Sequence, residues 1–261
     1  MMKKAIKLEN SLPVYDVEMD HEVKESYRLN KYISDSGYTS RRAADRLIEA
    51  GLVTIDNKVA IVGQQVFSGQ QVRVEGNLIN KDIKRVYIAL HKPVGITCTT
   101  DRSIEGNIVD FMDYGETIFP IGRLDKDSSG LILLTNDGDI VNKILLEEYG
   151  HDKEYEVTVD KKISNLFAKQ MENGVEIYNP VAHTMQTTLP CKVLLTGKHT
   201  YNIILKQGLN RQIRRMAKAL GAKVVGLKRI RIMHINLDDL PSGHWRYLSQ
   251  EEMIQLNKKT R

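Results

Sequence analysis

The chain has 261 residues, which is enough for one or two domains with proper cores, and a formal charge of +5. Its two cysteines, Cys98 and Cys191, are too few for a disulfide framework or a zinc finger. The N-terminus lacks the apolar stretch of a signal peptide, and no window approaches the roughly 20 apolar residues of a membrane span. We therefore expect a soluble, cytoplasmic, monomeric protein without a membrane partner.

The positive charge is concentrated in one segment. Residues 206–231 contain nine basic residues and no acidic one. The rest of the chain has 29 basic residues against 33 acidic ones, a net charge of −4. A local patch of this kind indicates phosphate recognition, as in proteins that bind nucleic acids.

The chain begins with a polar segment and two short helical patterns. Residues 1–27 are rich in acidic side chains and have little apolar periodicity, which predicts a flexible arm. Apolar residues at helical spacing predict a helix within 28–37 and a second within 39–51. Thr39 or Ser40 is expected to cap the start of the second helix.

Short strands and a linker follow the two helices. Residues 53–60 and 71–79 alternate apolar and polar side chains around turn residues, which is typical of short strands in hairpins. Residues 80–85 are charged and nearly free of apolar side chains, which predicts a linker. We expect the unit before this linker to be able to move relative to the rest of the chain.

The unit of residues 28–79 resembles the S4 RNA-binding domain. It opens with Arg-Leu-Asn-Lys-Tyr-Ile and carries Ser40-Arg41-Arg42 in its second helix. Charge alone leaves two interpretations of the arginines in that helix, a solvated face neutralised by neighbouring acids or a contact with RNA. The resemblance favours the RNA contact. The arginines concerned are Arg41, Arg42 and Arg46.

From residue 86 onward, apolar strand patterns outnumber helical ones and do not alternate regularly with them. This order favours an α+β domain with a mainly antiparallel mixed sheet over a doubly wound parallel one. The predicted strands are residues 86–91, 95–100, 117–122, 131–135, 155–159, 192–196 and 201–205. The predicted helices lie near residues 139–148, 164–173 and 210–220.

A charged loop at 122–130 is the densest candidate site, because charged loops at strand ends are where sites are usually built. Asp125 alone would most often be a turn former. Arg123 and Lys126 would favour its ionised form if the side chains converge. An ionised carboxylate beside a phosphate-binding surface suits chemistry on the ribose of RNA.

The same loop imitates the start of an EF-hand calcium site, with Asp, Asp and Ser at residues 125, 127 and 129. The twelfth position holds Asn136 where calcium requires a bidentate Glu, and the flanking segments have strand patterns. We therefore expect no metal at this loop.

The basic segment contains a predicted amphipathic helix at 210–220. Its apolar and basic side chains repeat at helical spacing two residues apart, which is about 200° around the helix, so they lie on opposite sides. We expect Asn210 to cap its start and Gly221 its end. Its basic side has no acidic partner at i±4, which favours RNA contact. The apolar side is Ile213, Met216, Ala217 and Leu220, and the basic side is Arg211, Arg214, Arg215 and Lys218.

Four blocks in order resemble the pseudouridine synthases of the RsuA-like branch. They are His-Lys-Pro-Val-Gly at 91–95, Gly-Arg-Leu-Asp-Lys-Asp-Ser-Ser-Gly-Leu at 122–131, Lys-Glu-Tyr at 153–155 and Asn-Arg-Gln-Ile-Arg-Arg-Met at 210–216. With the S4-like unit, the resemblance covers residues 28 to about 250. Gln-Gly-Leu at 207–209 and the run at 153–160 are most similar to the type F enzymes of large-subunit rRNA.

The resemblance implies an isomerase that converts a uridine of structured RNA to pseudouridine without metal or cofactor. Large-subunit rRNA is the expected substrate, with a tRNA as a second candidate. The implied architecture is α+β: a small S4-like α/β RNA-binding domain at 28–79, then a pseudouridine synthase catalytic domain at 86–261 with a mainly antiparallel mixed sheet.

The resemblance also implies roles for individual residues. Asp125 matches the aspartate that acts on the sugar of a flipped uridine, so that the C1′–N1 bond breaks and uracil rejoins through C5. Tyr155 matches the tyrosine that stacks on the base and assists removal of the C5 proton, and Arg214 matches the residue that pairs with the aspartate. Leu227 matches an apolar residue that forms the floor of the uracil pocket. The residues expected to contact RNA are Arg123, Arg41, Arg42, Arg46, Arg211, Arg215, Lys218, Leu227, Lys228 and Arg229.

Two alternatives remain open at this point. The first is a non-catalytic RNA-binding factor for ribosome assembly that keeps the S4-like module. The second is a glycosidase- or nuclease-type hydrolase that uses Asp125 with Asp127. His91 and the pair at 128–129 depart from the residues commonest in the resembled family, and we expect them to alter fine contacts only.

Overall fold

The computed structural model describes residues 4–8, 15, 25–80, 84–145 and 150–260. Parts of the predicted arm and linker and the end of the predicted helix near 139–148 lie outside the described residues. No helix in the described ranges is long and apolar enough to cross a membrane.

The N-terminal part contains the two expected helices and a set of short strands. In the second helix the Ser40 side chain accepts a hydrogen bond from the Ala43 amide, so the predicted Ser40 cap is confirmed. The elements are β1 (Ile6–Lys7), β2 (Ser26–Arg28), α1 (Leu29–Asp35), α2 (Arg41–Glu49), β3 (Val53–Ile55), β4 (Lys58–Val59), β5 (Gln65–Phe67), β6 (Val72–Val74) and β7 (Asn77–Leu78).

Two hairpins of this part turn where the sequence predicts. Asp56 and Asn57 connect β3 to β4 with φ of +48° and +63°, and Glu75 and Gly76 connect β6 to β7 with φ of +50° and +83°. Such turns match the twist of antiparallel strands. The apolar stripes of α1 and α2 pack on these strands and form a separate core.

The second part is built around one large mixed sheet. The strands of this part are β8 (Tyr87–Lys92), β9 (Phe119–Ile121), β10 (Ser129–Thr135), β11 (Lys153–Val159), β12 (Glu176–Asn179), β13 (Thr184–Thr187), β14 (Lys192–Leu195), β15 (Thr200–Leu205), β16 (Val224–Ile232), β17 (Ile235–Asn236) and β18 (His244–Tyr247). Strands β12 and β13 pair with each other in a separate two-stranded sheet. Its helices are α3 (Ile108–Met112), α4 (Gly138–Leu145), α5 (Asn165–Glu172), α6 (Gln212–Ala219) and α7 (Gln250–Lys259).

Ten strands form this sheet in the order β1-β18-β8-β10-β16-β11-β15-β14, with β9 beside β10 and β17 beside β16. The pairs β1/β18 and β10/β16 are parallel and the others are antiparallel. The predicted mainly antiparallel α+β arrangement is therefore confirmed. Strand β10 is buried on both faces, with Leu131 and Leu133 in one core and Ile132 and Leu134 in another.

One predicted strand does not form, and one central strand of the sheet was not predicted. Residues 95–100 form no strand but only an isolated bridge between Thr97 and Asn107. Their alternation reflects burial of Ile96 and Cys98 against the core, without a neighbouring strand to pair with. Conversely, β16 is a nine-residue strand in the middle of the sheet that was interpreted as part of a basic surface patch. Its positive side chains concealed the strand pattern.

Part of the predicted flexible arm is an edge strand. β1 pairs with β18, with Ile6 opposite His244, and the Ala5 amide donates to the Phe111 carbonyl at 2.8 Å. The Lys7 ammonium lies 4.7 Å from the centre of the Tyr247 ring. A run this short carries no periodicity, so the sequence could not reveal it.

The two parts of the chain touch each other. Lys31 on α1 forms ion pairs with Asp35 of its own helix and with Asp139 at the start of α4. The Thr117 hydroxyl donates to the Gly37 carbonyl at 3.1 Å. These contacts join the α1–α2 face to the large sheet domain, and the expected ability of the N-terminal unit to move stays a prediction. The domain limits themselves stay a prediction.

Candidate active site

The loop between β9 and β10 is held firmly by its neighbours and presents Asp125 at its surface. The Ser128 amide donates to the Asp125 carbonyl and closes a turn. The Leu124 side chain is buried, and the Lys126 carbonyl accepts from the Gly95 amide at 2.7 Å. The Asp125 side chain is 29% exposed, so it is accessible from solvent while its backbone is fixed.

Arg214 of helix α6 reaches into this loop. Its Nη2 donates to the Asp127 carbonyl at 2.9 Å and to Ser128 Oγ at 3.1 Å, and its Nη1 donates to the Val224 carbonyl at 3.2 Å. Its Nε has no hydrogen-bond partner among the described residues and lies 3.8 Å from Asp125 Oδ2. The structure thus brings together the two residues that the sequence paired.

A second guanidinium flanks the same carboxylate. Arg211 donates two hydrogen bonds to Asp127, at 3.0 and 2.8 Å, and its Nη1 is 3.7 Å from Asp125 Oδ2. The hydrogen bond from Arg211 and the charge of Arg214 hold the pKa of the Asp127 carboxyl below its usual range. The cations within ion-pair distance of Asp125 are therefore on α6, among the residues that the structure describes, and not in its own loop as expected.

The start of α6 differs from the expected one. Its N-cap is Arg211, in a left-handed conformation with φ of +50°, and Asn210 instead accepts from the Arg215 side chain at 3.1 Å. The predicted Asn210 cap is wrong because the chain enters the helix one residue later. The helix ends as predicted at Gly221, whose amide donates to the Lys218 carbonyl.

A pocket of about 110 Å³ opens beside Asp125. Tyr155 on β11 and Leu227 on β16 form its apolar walls, and Arg123 and Arg211 lie at its edge. The register of β11 against β16 shifts between Glu154 and Tyr155, which is a β-bulge next to the site. The pocket therefore combines one carboxylate with an aromatic ring and several aliphatic side chains.

Arg229 lies inside the protein, whereas a residue that contacts RNA must be accessible at the surface. It is 4% exposed, its Nε donates to the Leu131 carbonyl at 2.7 Å, and its guanidinium carbon lies 6.0 Å from the centre of the Tyr155 ring. The prediction that Arg229 binds RNA directly is therefore wrong. Its burial places it behind Tyr155, where it supports the ring from within the protein.

The other predicted RNA-binding residues differ in accessibility. Arg123 and Lys218 are exposed, whereas Arg215 and Lys228 are half-buried and Leu227 is buried in the pocket wall. The arginines predicted on α2 are all exposed: Arg41, Arg42 and Arg46. Arg41 lines the cleft between the α1–α2 face and the sheet domain.

Lys92, for which the sequence predicts no role, lies beneath the loop of Asp125. It is fully buried at the end of β8, and its Nζ donates to the Pro93 and Ile96 carbonyls at 2.8 and 3.0 Å. Burial lowers the pKa of Lys92 to about 8, and the charges of Asp125 and Asp127 oppose this shift. The available sequence signal for a buried lysine was its position at the end of a mostly apolar strand pattern.

His91, a departure from the resembled family, is also buried. Its Nδ1 lies 2.7 Å from the Leu240 carbonyl, and burial lowers the pKa of its ring. Within the described ranges, no three His, Cys, Asp or Glu side chains come together in a group that could hold a metal ion.

Comparisons of the sequence with known proteins show which family the chain belongs to. The sequence profile of the family described as RNA pseudouridylate synthase matches residues 86–219, and that of the S4 domain matches residues 28–72. The chain is 52% identical over 235 residues to "Dual-specificity RNA pseudouridine synthase RluF" of Salmonella typhi, covering 89% of this chain and 79% of that protein. It is 35% identical to "Ribosomal large subunit pseudouridine synthase B" of Bacillus subtilis, covering 88% and 95%.

A solved structure agrees as well. "Crystal structure of pseudouridylate synthase" superposes with a TM-score of 0.64 at 30% identity, covering 88% of this chain and 99% of that one. Sequence, fold and the pairing of Asp125 with Arg214 thus point the same way. The chain belongs to the RNA pseudouridylate synthase family and is an RNA-modifying isomerase with an S4 domain.

Proposed function

We propose that this enzyme converts a uridine of large-subunit rRNA to pseudouridine, with Asp125 as the catalytic carboxylate. The observation that carries the proposal is the position of Asp125, partly exposed beside the pocket and facing the otherwise unbonded Nε of Arg214 at 3.8 Å. A carboxylate held this way can act on a ribose whose base occupies the pocket.

The reaction is an isomerisation, so the atoms balance without any other reactant. Asp125 acts on the sugar, the C1′–N1 bond breaks, uracil turns within the pocket and C5 bonds to C1′. C5 loses a proton, and N1 takes one up. No electrons or groups enter or leave, which is why we propose that the enzyme acts without cofactor or metal.

The pocket can hold the base only when it has left its stack. Extrusion from a duplex costs a few kcal/mol, and less from a loop. Stacking on an aromatic ring stabilises a base by about 1–3 kcal/mol. Tyr155, supported from behind by Arg229, offers such a ring at the pocket wall. Leu227 covers the opposite side in our proposal.

Positive side chains along α6 and α2 would hold the surrounding RNA. Arg123 and Arg211 are exposed at the pocket, Lys218 is exposed further along α6, and the α2 arginines add a second basic surface. These contacts with phosphates would make affinity fall as salt rises. We propose Arg41, Arg42 and Arg46 as RNA contacts of the S4 domain, together with the half-buried Arg215 and Lys228.

The names of the relatives support the choice of substrate. One relative is called a ribosomal large subunit enzyme, and another is called a dual-specificity enzyme. We therefore propose large-subunit rRNA as the main substrate and a tRNA as a second one. We further propose a monomer that works in the cytoplasm, where these RNAs are made and folded.

Release of tritium from C5-labelled uridine in large-subunit rRNA tests the role of Asp125. Purified Asp125→Asn protein should lose at least about 10³-fold in rate, because the amide cannot act as a nucleophile or base, and should still bind the RNA. The matched control is Asp238→Asn, an exposed position with φ of +45° that asparagine tolerates.

Three outcomes would contradict the proposal. Turnover by Asp125→Asn at the wild-type rate would remove this carboxylate from the chemistry. Free uracil or cleaved strands as the product would indicate a hydrolase. Tight binding of rRNA by the wild-type protein without any tritium release from rRNA or tRNA would indicate a non-catalytic assembly factor.

A further inference from the structure

Two guanidinium groups compete for the carboxylates of the active-site loop. Arg211 and Arg214 both lie within ion-pair distance of Asp125, at 3.7 and 3.8 Å, yet neither forms a hydrogen bond with it. Arg211 instead gives two donors to Asp127, at 3.0 and 2.8 Å. The catalytic carboxylate is thus the less strongly bonded of the two.

The distances show how small a movement would change this arrangement. A hydrogen bond between a guanidinium and a carboxylate is about 2.7–2.9 Å long. Arg211 Nη1 would therefore reach Asp125 Oδ2 by moving about 0.8–1 Å. Its side chain is 41% exposed, so little packing opposes such a movement. The two hydrogen bonds to Asp127 are what hold it back.

A bond from Arg211 to Asp125 would hinder the reaction. A carboxylate that accepts charge-assisted hydrogen bonds has its lone pairs occupied, and those bonds must break before it can act on a ribose. We propose that Asp127 is a positioning residue that holds Arg211 away from Asp125 and so leaves the catalytic carboxylate free for the substrate. This inference rests on the proposed catalytic role of Asp125.

Two further observations support it. The hydrogen bonds that Arg211 donates to the Asp127 carboxylate raise the pKa of Arg211, as expected for a firmly made pair. Arg211 also has a left-handed backbone, a conformation that costs free energy for a residue with a side chain and is often retained at functional sites. In this conformation Arg211 is the N-cap of α6 and its guanidinium reaches the Asp127 carboxylate.

The test is a set of four variants measured in single-substrate kinetics with the same rRNA fragment. Asp127→Asn replaces the ionised carboxylate by a neutral amide and releases Arg211, so kcat should fall about 10- to 100-fold while KM stays unchanged or falls. Arg211→Gln alone should raise KM, because one RNA contact is lost, and its kcat is the reference value for the double variant. In the double variant kcat should return to that of Arg211→Gln.

The conservative variant separates this role from a loss of folding. Asp127→Glu keeps a carboxylate that can bind Arg211 and should retain most of kcat, with all four variants unfolding within a few degrees of wild type. A normal kcat in Asp127→Asn would overturn the inference, and so would a double variant as slow as Asp127→Asn. Neither result touches the role of Asp125, which fails only if Asp125→Asn itself remains active.

Discussion

Gly130 is the position at which the strand pairing beneath the active site is most sensitive to one added carbon. It lies on β10 opposite Arg229 of β16, in the parallel pair that joins the Asp125 loop to the strand of Leu227. A Cβ on Gly130 would lie 2.2 Å from the Arg229 carbonyl oxygen and 2.5 Å from its nitrogen. Both are backbone atoms, so no side chain can rotate away.

Gly130→Ala should therefore destabilise the protein strongly. The contact would have to lengthen by at least about 1.2 Å to become an ordinary one, so the strands separate and hydrogen bonds worth about 1 kcal/mol each lengthen. The φ of +108° adds strain of about 1–3 kcal/mol for any residue with a side chain. We expect a loss of about 3–5 kcal/mol in the free energy of unfolding.

Urea unfolding followed by circular dichroism measures this loss. The matched control is Gly115→Ala, which has a φ of +88° but no atom within 4 Å of the added Cβ, so it has backbone strain without the clash. The difference between the two variants isolates the clash. Equal unfolding midpoints for Gly130→Ala and Gly115→Ala would refute the reasoning.

Two further predictions concern buried charge and the N-terminal strand. Because burial lowers the pKa of Lys92 to about 8, the folded protein releases a proton that the unfolded chain keeps until about pH 10.4. The stability of wild type relative to Lys92→Met should therefore rise between pH 8 and pH 10 in urea titrations, and a constant difference would contradict this. Ile6→Pro removes the amide that donates to the Gly243 carbonyl at 2.9 Å and should cost about 1–3 kcal/mol. Leu8→Ala, whose side chain is half exposed, should cost much less, and equal stability of both variants with wild type would show that β1 does not stabilise the sheet.

Local signals predicted the two N-terminal helices, hairpin turns and the end of α6, although not its start. Ser40 caps α2, the Asp56-Asn57 turn joins two strands, and Gly221 ends α6, because each depends on residues within a few positions of one another. The proximity of Arg214 to Asp125 followed from the family resemblance and agrees with the structure. The motifs of a family thus predict which of their side chains lie close together in the folded protein.

What the sequence could not show depends on contacts between distant segments. Arg229 looked like part of a basic surface, but strand β16 turns it inward behind Tyr155. The partner of Arg211 is 84 positions away at Asp127, and no spacing rule connects them. Lys92 is buried because the loop that follows it folds back and supplies two carbonyl oxygens.

Mapping of pseudouridine in total RNA tests the central claim most directly. Cells lacking the gene should lose pseudouridine at a position in large-subunit rRNA, and wild-type protein should restore it while Asp125→Asn, expressed at the same level, should not. Restoration by Asp125→Asn would contradict the claim that this carboxylate carries the isomerisation. An rRNA pattern unchanged by loss of the gene would contradict the proposed substrate.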